Sequence, residues 1–98
     1  MTIDKKFDEN QLVVRVEGRL DTTTAPELEA SLNESFDTIE ELVMDFEALE
    51  YISSAGLRVL LAAQKAMNKK GGMKVTGVSD AIMEIFEVTG FSEILTIE

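Results

Sequence analysis

Cysteine and histidine are both absent from the 98-residue sequence. The lack of cysteine excludes disulfides, thiol catalysis and thiolate metal sites, and the lack of histidine removes the commonest general base and metal ligand. Basic residues are few, 9 against 19 acidic ones, and the formal net charge is −10. This imbalance argues against a protein that binds nucleic acid through its phosphates or that binds an anionic membrane surface.

Long apolar runs are missing as well. No stretch approaches the roughly 18 residues that a membrane span requires, and residues 1–10 lack the apolar centre of a signal peptide. We therefore expect a cytoplasmic protein with no membrane partner. Apolar residues make up 45% of the sequence, which is enough for one modest core, so we predict a single domain over residues 1–98.

The stretch Leu49–Lys70 contains the most informative pattern in the chain. Leu49, Tyr51 and Ile52 supply apolar anchors, Ser53–Gly56 forms a small polar turn, and an amphipathic helix is predicted from Leu57 onward. A serine at the start of a helix commonly caps it by accepting a backbone N–H. The same helix end favours anions, so one of the two serines could instead carry a phosphate. Both interpretations are compatible with the pattern.

Strand and helix patterns alternate along the rest of the chain. A tight turn over residues 8–10 predicts an antiparallel hairpin, and Thr24 with Glu27 has the spacing of a capping box at the start of a helix. The run Leu42–Met44 is expected to be a parallel strand buried on both faces. The predicted elements are strands Ile3–Phe7 and Gln11–Glu17, helix Ala25–Phe36, strand Leu42–Met44, the helix from Leu57, strand Met73–Thr76, helix Asp80–Thr89 with Ser79 and Gly90 as its caps, and strand Ile94–Ile97. This order, β-β-α-β-α-β-α-β, predicts an α/β fold with parallel strand pairs.

Two motifs resemble those of a known family. The string Ile52–Leu57 resembles the signature of the STAS domain, and more narrowly that of the bacterial anti-sigma factor antagonists. In that family the loop reads roughly Asp-Ser-Ser/Thr/Ala-Gly-Leu-Gly, and its first serine is phosphorylated. Alignment of the Gly-Leu pair places the phosphorylated serine at Ser54. Gly18–Asp21 resembles the family's Gly-x-Leu/Ile-Asp motif after the second strand.

The resemblance implies a fold and a function. The fold would be a single STAS domain, a mixed sheet with helices packed mainly on one face. The unphosphorylated protein would bind an anti-sigma factor that has serine kinase activity and would release the sigma factor. Phosphorylation of the loop serine would abolish binding, and a phosphatase would reverse it, with ATP and magnesium supplied by the partner. The resemblance places these residues on the partner-binding surface: Asp21, Thr22, Ser53, Ser54, Ala55, Gly56, Leu57 and Arg58.

Other functions and roles remain open at this point. An enzyme could use only Asp21, Asp45 and Ser54 near this site, and their pattern assigns no substrate, so we expect neither catalysis nor a bound cofactor or metal. A sensor or scaffold module could hold a small anion or nucleotide at the helix start without any phosphorylation, although Arg58 is the only basic residue beside it. Asp21 can cap its own turn, face the partner, or do both. Arg58 can contact the partner or the phosphate, or remain a solvated helix charge.

Overall fold

An antiparallel hairpin opens the chain, as the alternation of apolar and polar residues predicts. In the computed structural model, which describes residues 1–98, strand β1 spans Thr2–Asp8 and strand β2 spans Gln11–Leu20. Ile3 lies opposite Val16, and Phe7 lies opposite Leu12. Leu12, Val14 and Val16 are fully buried, whereas the residues between them are only partly covered. One face of the hairpin therefore belongs to the core.

Three further strands run parallel to β2 or to one another. They are β3 (Glu41–Asp45), β4 (Leu49–Ile52) and β5 (Met73–Thr76), and the main sheet has the order β1-β2-β3-β5. Strand β4 pairs with the last residues of β2 and is an addition to the predicted element order. Each paired residue of β2 lies opposite the residue 30 positions later in β3, whereas Leu20 lies opposite Ile52, 32 positions later in β4. The segment from β3 to β4 therefore contains two more residues than continuous parallel pairing with β2 would need.

Three α-helices connect the strands. They are α1 (Ala25–Asn33), α2 (Ser54–Asn68) and α3 (Asp80–Thr89), with short 3-10 turns at Phe36–Thr38 and Phe91–Glu93. Helix α3 has the predicted bounds and caps: the hydroxyl of Ser79 accepts the N–H of Ile82 at 3.3 Å, and Gly90 closes the helix with φ +83°. None of these helices has the length and apolar character needed to cross a bilayer.

Helix α1 is shorter than predicted, and the last predicted strand is reduced to a single bridge. The helix ends at Asn33, and Phe36 begins a 3-10 turn instead of continuing it. After α3, the N–H of Leu95 donates to the carbonyl of Phe91 at 2.8 Å, so pairing with β5 begins only beyond Leu95. Ile97 alone forms a parallel bridge, to Val75. The turn therefore takes up Ile94 and Leu95, two of the four residues that were predicted to extend the sheet.

The helices cover one face of the mixed sheet, which confirms the predicted fold class. On that face Leu42 and Met44 of β3 are buried, whereas Val43 between them is only half-buried. The expectation that β3 is buried on both faces is therefore wrong, because the other face has no helix against it. That open face carries alternating small apolar and charged side chains, namely Val13, Arg15, Val43, Asp45 and Lys74.

We expect Leu60→Ala to lower the free energy of unfolding by about 2–5 kcal/mol, since Leu60 is completely buried beneath α2 and its removal leaves a cavity. Leu61→Ala is the matched control, because the next residue of the same helix is only half-buried. Urea denaturation of both variants measures the difference. Equal losses for the two would contradict this assignment of the buried face of α2.

Candidate functional site

Two loops meet where strands β2 and β4 end. Since β4 runs parallel to β2, their carboxyl ends lie at the same edge of the sheet. The backbone N–H of Ser53 donates to the carbonyl of Leu20 at 2.9 Å and holds the two chain segments together. Asp21 follows Leu20 directly. The structure thus brings the Asp21 turn beside the Ser53–Ser54 segment, as the resemblance implies.

The side chain of Asp21 organises the turn before α1. Its Oδ1 accepts the N–H groups of Thr23 and Thr24 at 3.1 and 3.2 Å and the hydroxyl of Thr23 at 2.8 Å. These donors favour the ionised carboxylate, and the Thr23 hydroxyl is the largest of several causes that hold the pKa of Asp21 below its ordinary value. The predicted capping role of Asp21 in its own turn is confirmed.

The capping box predicted from Thr24 and Glu27 does not form. Thr24 is the N-cap residue of α1, but its backbone angles are helical and its side chain makes no cap hydrogen bond. Its hydroxyl accepts the N–H of Asp21 at 2.8 Å and donates to the carbonyl of Arg19 at 2.9 Å. The Thr24 hydroxyl therefore points back toward the end of β2. The Asp21 carboxylate accepts the N–H groups of Thr23 and Thr24, which precede the helix.

The two serines at the start of α2 have different roles in the fold. Ser53 is the N-cap: its backbone is extended, and its hydroxyl accepts the N–H of Gly56 at 3.3 Å. Ser54 is the first residue of the helix and is exposed, and no hydrogen bond within the chain occupies its hydroxyl. The helix thus begins three residues earlier than the predicted start at Leu57. The hydroxyl of Ser54 is free for chemistry that does not disturb the cap.

Gly56 and Leu57 lie beneath this surface and not on it. A Cβ at Gly56 would meet side-chain atoms of both Ile52 and Leu20 at 2.8 Å, a distance that ordinary packing does not allow. Leu57 is only 7% exposed and belongs to the core. Of the predicted partner-binding residues, these two therefore support the start of α2 from below: Gly56 has no side chain, and the side chain of Leu57 is not available to a partner.

A groove separates the first turns of α1 and α2. It has a volume of about 270 Å³ and contains three of the predicted site residues, Thr22, Ala55 and Arg58. No sequence pattern indicates its remaining lining residues, which are Ala25, Pro26, Glu29 and Val59. Only the approach of the two helices identifies them. Arg58 is exposed and lies one helical turn after Ser54, which places both side chains on the same side of α2.

A second surface feature beside the site was also missed. Arg19 and Tyr51 are partners across β2 and β4, and the guanidinium of Arg19 lies 4.2 Å from the centre of the Tyr51 ring. The Nε of Arg19 is 4.0 Å from Oδ2 of Asp21. An alternation of apolar and polar residues gives no sign of this pair, because it depends on the register of two strands that are far apart in sequence.

The carboxylates of Asp21 and Asp45 each have hydrogen-bond partners within the chain. Asp45 is engaged elsewhere, since its Oδ2 lies 3.3 Å from Arg15 and its Oδ1 accepts the N–H of Glu47 at 3.0 Å. Asp21 is engaged by the threonines of its own turn. No three acidic side chains converge in a way that could hold a metal ion. What the site offers is an exposed hydroxyl at a capped helix end, beside a groove whose charged lining residues are Glu29 and Arg58.

We expect the stability advantage of wild type over Asp21→Asn to be largest at neutral pH and to shrink on acidification. The folded pKa of Asp21 is lowered, so its contribution is fully present above the unfolded value of about 4 and is lost as the pH falls through the folded pKa. Urea denaturation at pH 7 and near pH 3 measures the gap. Asp37→Asn is the control, because that exposed carboxylate accepts no hydrogen bond. A gap for Asp21→Asn that does not change with pH would contradict the capping role.

Comparison with known proteins agrees with the geometry. A sequence model of the STAS domain matches residues 2–98. The chain is 29% identical to an anti-sigma-B factor antagonist of Bacillus subtilis, over 99% of this chain and 90% of that protein. It is 34% identical to an anti-sigma-B factor antagonist of Staphylococcus aureus, over 96% of this chain and 85% of that protein. The solved structure of an anti-sigma factor antagonist from Mycobacterium paratuberculosis superposes with a TM-score of 0.89 at 29% identity, covering 98% of this chain and 83% of that one. The chain belongs to the STAS domain family.

Proposed function

We propose that this protein is an anti-sigma factor antagonist that switches partners through phosphorylation of Ser54. In the unphosphorylated state it binds an anti-sigma factor with serine kinase activity, and the sigma factor is released. Phosphorylation of Ser54 ends that binding, and a phosphatase restores it. The proposal places the protein in the cytoplasm, because sigma factors act there on RNA polymerase.

The separation of the two serine roles is the observation that carries this proposal. Ser53 already caps α2, so the helix does not need the hydroxyl of Ser54. Ser54 is exposed at the first helical position, where a kinase can reach it. A phosphate there would lie over the helix N-terminus, where the dipole and unpaired N–H groups favour an anion by about 0.3–1 kcal/mol. The modified protein should therefore stay folded.

The residues around Ser54 supply the surface that the partner would contact. Thr22 and Arg58 line the groove together with the half-buried Ala55, which follows Ser54, and Asp21 precedes Thr22 in the neighbouring loop. Ser53, Gly56 and Leu57 hold this surface in place from within. Such a surface is fitted to a neutral hydroxyl at its centre, so its affinity depends on that position remaining uncharged.

Phosphorylation would act on the partner and not on the fold. A phosphate adds about −1.5 to −2 charges at neutral pH, on a chain whose net charge is already −10. A partner surface that accepts a hydroxyl would then have to desolvate or repel this group, and such contacts cost several kcal/mol. Binding should fall by orders of magnitude. All of the transfer chemistry, with its ATP and magnesium, belongs to the partner, and this chain is its substrate and not an enzyme.

We expect the cognate kinase to phosphorylate wild type and Ser53→Ala but not Ser54→Ala. Loss of the Ser53 cap should lower stability by about 0.5–2 kcal/mol yet leave the acceptor hydroxyl intact. Ser54→Ala should bind the anti-sigma factor like wild type and should resist release by ATP. Peptide mapping identifies the modified serine, and calorimetry measures affinity in each state. A phosphate on Ser53 alone, or full affinity after phosphorylation of Ser54, contradicts the proposal.

We expect Arg58→Ala to weaken binding of the unphosphorylated protein to its anti-sigma factor by roughly three- to tenfold, because Arg58 is an exposed cation beside Ser54. Lys65→Ala is the matched control: it removes the same charge from the same helix, two turns further from the site. Calorimetry on both variants decides the role of Arg58. Unchanged affinity for both would make Arg58 an ordinary solvated charge.

A further inference from the structure

Strand β1 is a free edge of the sheet. Strand β2 pairs with one side of it, and no other strand pairs with the opposite side. Alternate residues of such an edge direct their N–H and C=O groups outward, where they can pair with another strand. Charged side chains normally discourage this pairing, and β1 (Thr2–Asp8) carries four of them. Whether those charges block or select a partner depends on which charges would meet.

The sequence of β1 is complementary to itself in one antiparallel register. In the register that uses all seven residues, Lys5 lies on the twofold axis and faces Lys5 of the second copy. Asp4 then faces Lys6 of the second copy, and Ile3 faces Phe7. A shift of two residues in one direction places Asp4 against Asp4. The opposite shift places Asp4 against Asp8 and Lys6 against Lys6. Like charges directly opposite are unfavourable, so the charges disfavour both shifted pairings.

The faces of the strand agree with this register. Ile3 and Phe7 lie opposite the buried residues Val16 and Leu12 of β2, so they are on the face that the helices cover. The Phe7 side chain is nevertheless 55% exposed at the edge. An Ile3–Phe7 contact across two copies would extend the apolar face beyond the edge of each sheet, and aromatic–aliphatic cross-strand pairs stabilise sheets.

The central lysine pair is less unfavourable than its position suggests. The Nζ of Lys5 donates to the carbonyl of Ser31 at 2.6 Å, in the last part of α1, and lies 5.9 Å from the centre of the Phe7 ring. The ammonium is therefore held by its own chain and not presented to the opposite strand. Asp4 and Lys6, on the open face, remain available for ion pairs between copies.

We propose that β1 is a homodimer interface, in which two copies pair their β1 strands antiparallel about Lys5 and continue one sheet into the other. The contact is isologous, so every pair occurs twice except the central one. Seven residues a side give an interface below the standard size. We therefore expect a weak dimer whose population rises with protein concentration.

Charge reversal provides a test in which two defects compensate. Asp4→Lys places like charges at positions 4 and 6 across the interface, and so does Lys6→Asp. Each variant alone should dimerise at least roughly tenfold more weakly than wild type. An equal mixture of the two should recover dimer, because every contact between positions 4 and 6 then joins a lysine of one variant to an aspartate of the other. The double variant should also dimerise, since it exchanges the two charges and keeps them complementary. Glu84→Lys on α3 makes the same change in net charge as Asp4→Lys, away from β1, and should behave like wild type.

Sedimentation equilibrium up to roughly 1 mM protein measures the shift from the chain mass of 10.8 kDa toward twice that value. Circular dichroism checks that each variant is folded. Isotope-filtered NMR on a mixture of labelled and unlabelled wild type should show contacts between Ile3 and Phe7 of different copies. A protein that stays monomeric throughout this range overturns the proposal. So does a dimer that neither single reversal weakens, since its interface would then lie elsewhere. None of these variants alters Ser54, so the result is independent of the phosphorylation proposal.

Discussion

The contact of Gly56 with the side chains of Leu20 and Ile52 determines where helix α2 begins. Because residue 56 has no side chain, the first turn of α2 lies directly on the ends of β2 and β4. The same close approach holds the N–H of Ser53 on the carbonyl of Leu20 and leaves Ser54 on the exposed side. Leu20 and Ile52 are buried in a close-packed core, so a larger residue at 56 would have to displace them. The position of both serines relative to the Asp21 turn therefore depends on this one glycine.

The distribution of hydrogen bonds around the site keeps the end of α2 open to an anion. The first N–H groups of a helix have no partner inside it. The hydroxyl of Ser53 accepts the N–H of Gly56. The Asp21 carboxylate, in the neighbouring loop, accepts the N–H groups of Thr23 and Thr24 in its own turn. The N–H groups of Ser54 and Ala55 have no acceptor within the chain. They are therefore available to donate to an anion that is attached to Ser54 or bound beside it. An acidic chain can in this way accept one more anion at a place where its own carboxylates do not compete for the donors.

Local signals in the sequence predicted local structure well, and contacts between distant residues explain most of the errors. Ser79 and Gly90 gave the bounds of α3 because caps depend on neighbouring residues alone. The start of α2 was misplaced by three residues because serine and glycine are weak helix formers, and the packing of Gly56 that favours a helix there involves Leu20, far away in sequence. No local pattern indicates the contact of Lys70, whose Nζ donates to the carbonyls of Phe36 and Ile39, more than thirty residues away. The motif Ile52–Leu57 predicts the position of the candidate site. The groove beside it and the Arg19–Tyr51 pair depend on helix packing and strand register, which no single segment of the sequence encodes.

The free edge and the surface around Ser54 depend on different parts of β2, and this separation bears on the proposed switch. Strand β1 pairs with residues 11–17 of β2, whereas β4 pairs with residues 18–20, with an irregularity between Gly18 and Arg19. None of the residues around Ser54, namely Asp21, Thr22, Ala55 and Arg58, belongs to β1. Two copies joined at β1 would therefore present two complete surfaces, each with its own serine, cap and groove. A phosphate on one copy would act through charge at its own helix end, and the second surface would keep its affinity. The number of partner molecules that such a dimer binds should then be proportional to its number of unphosphorylated serines. Binding should show no cooperativity, because nothing at the shared edge changes when Ser54 is modified.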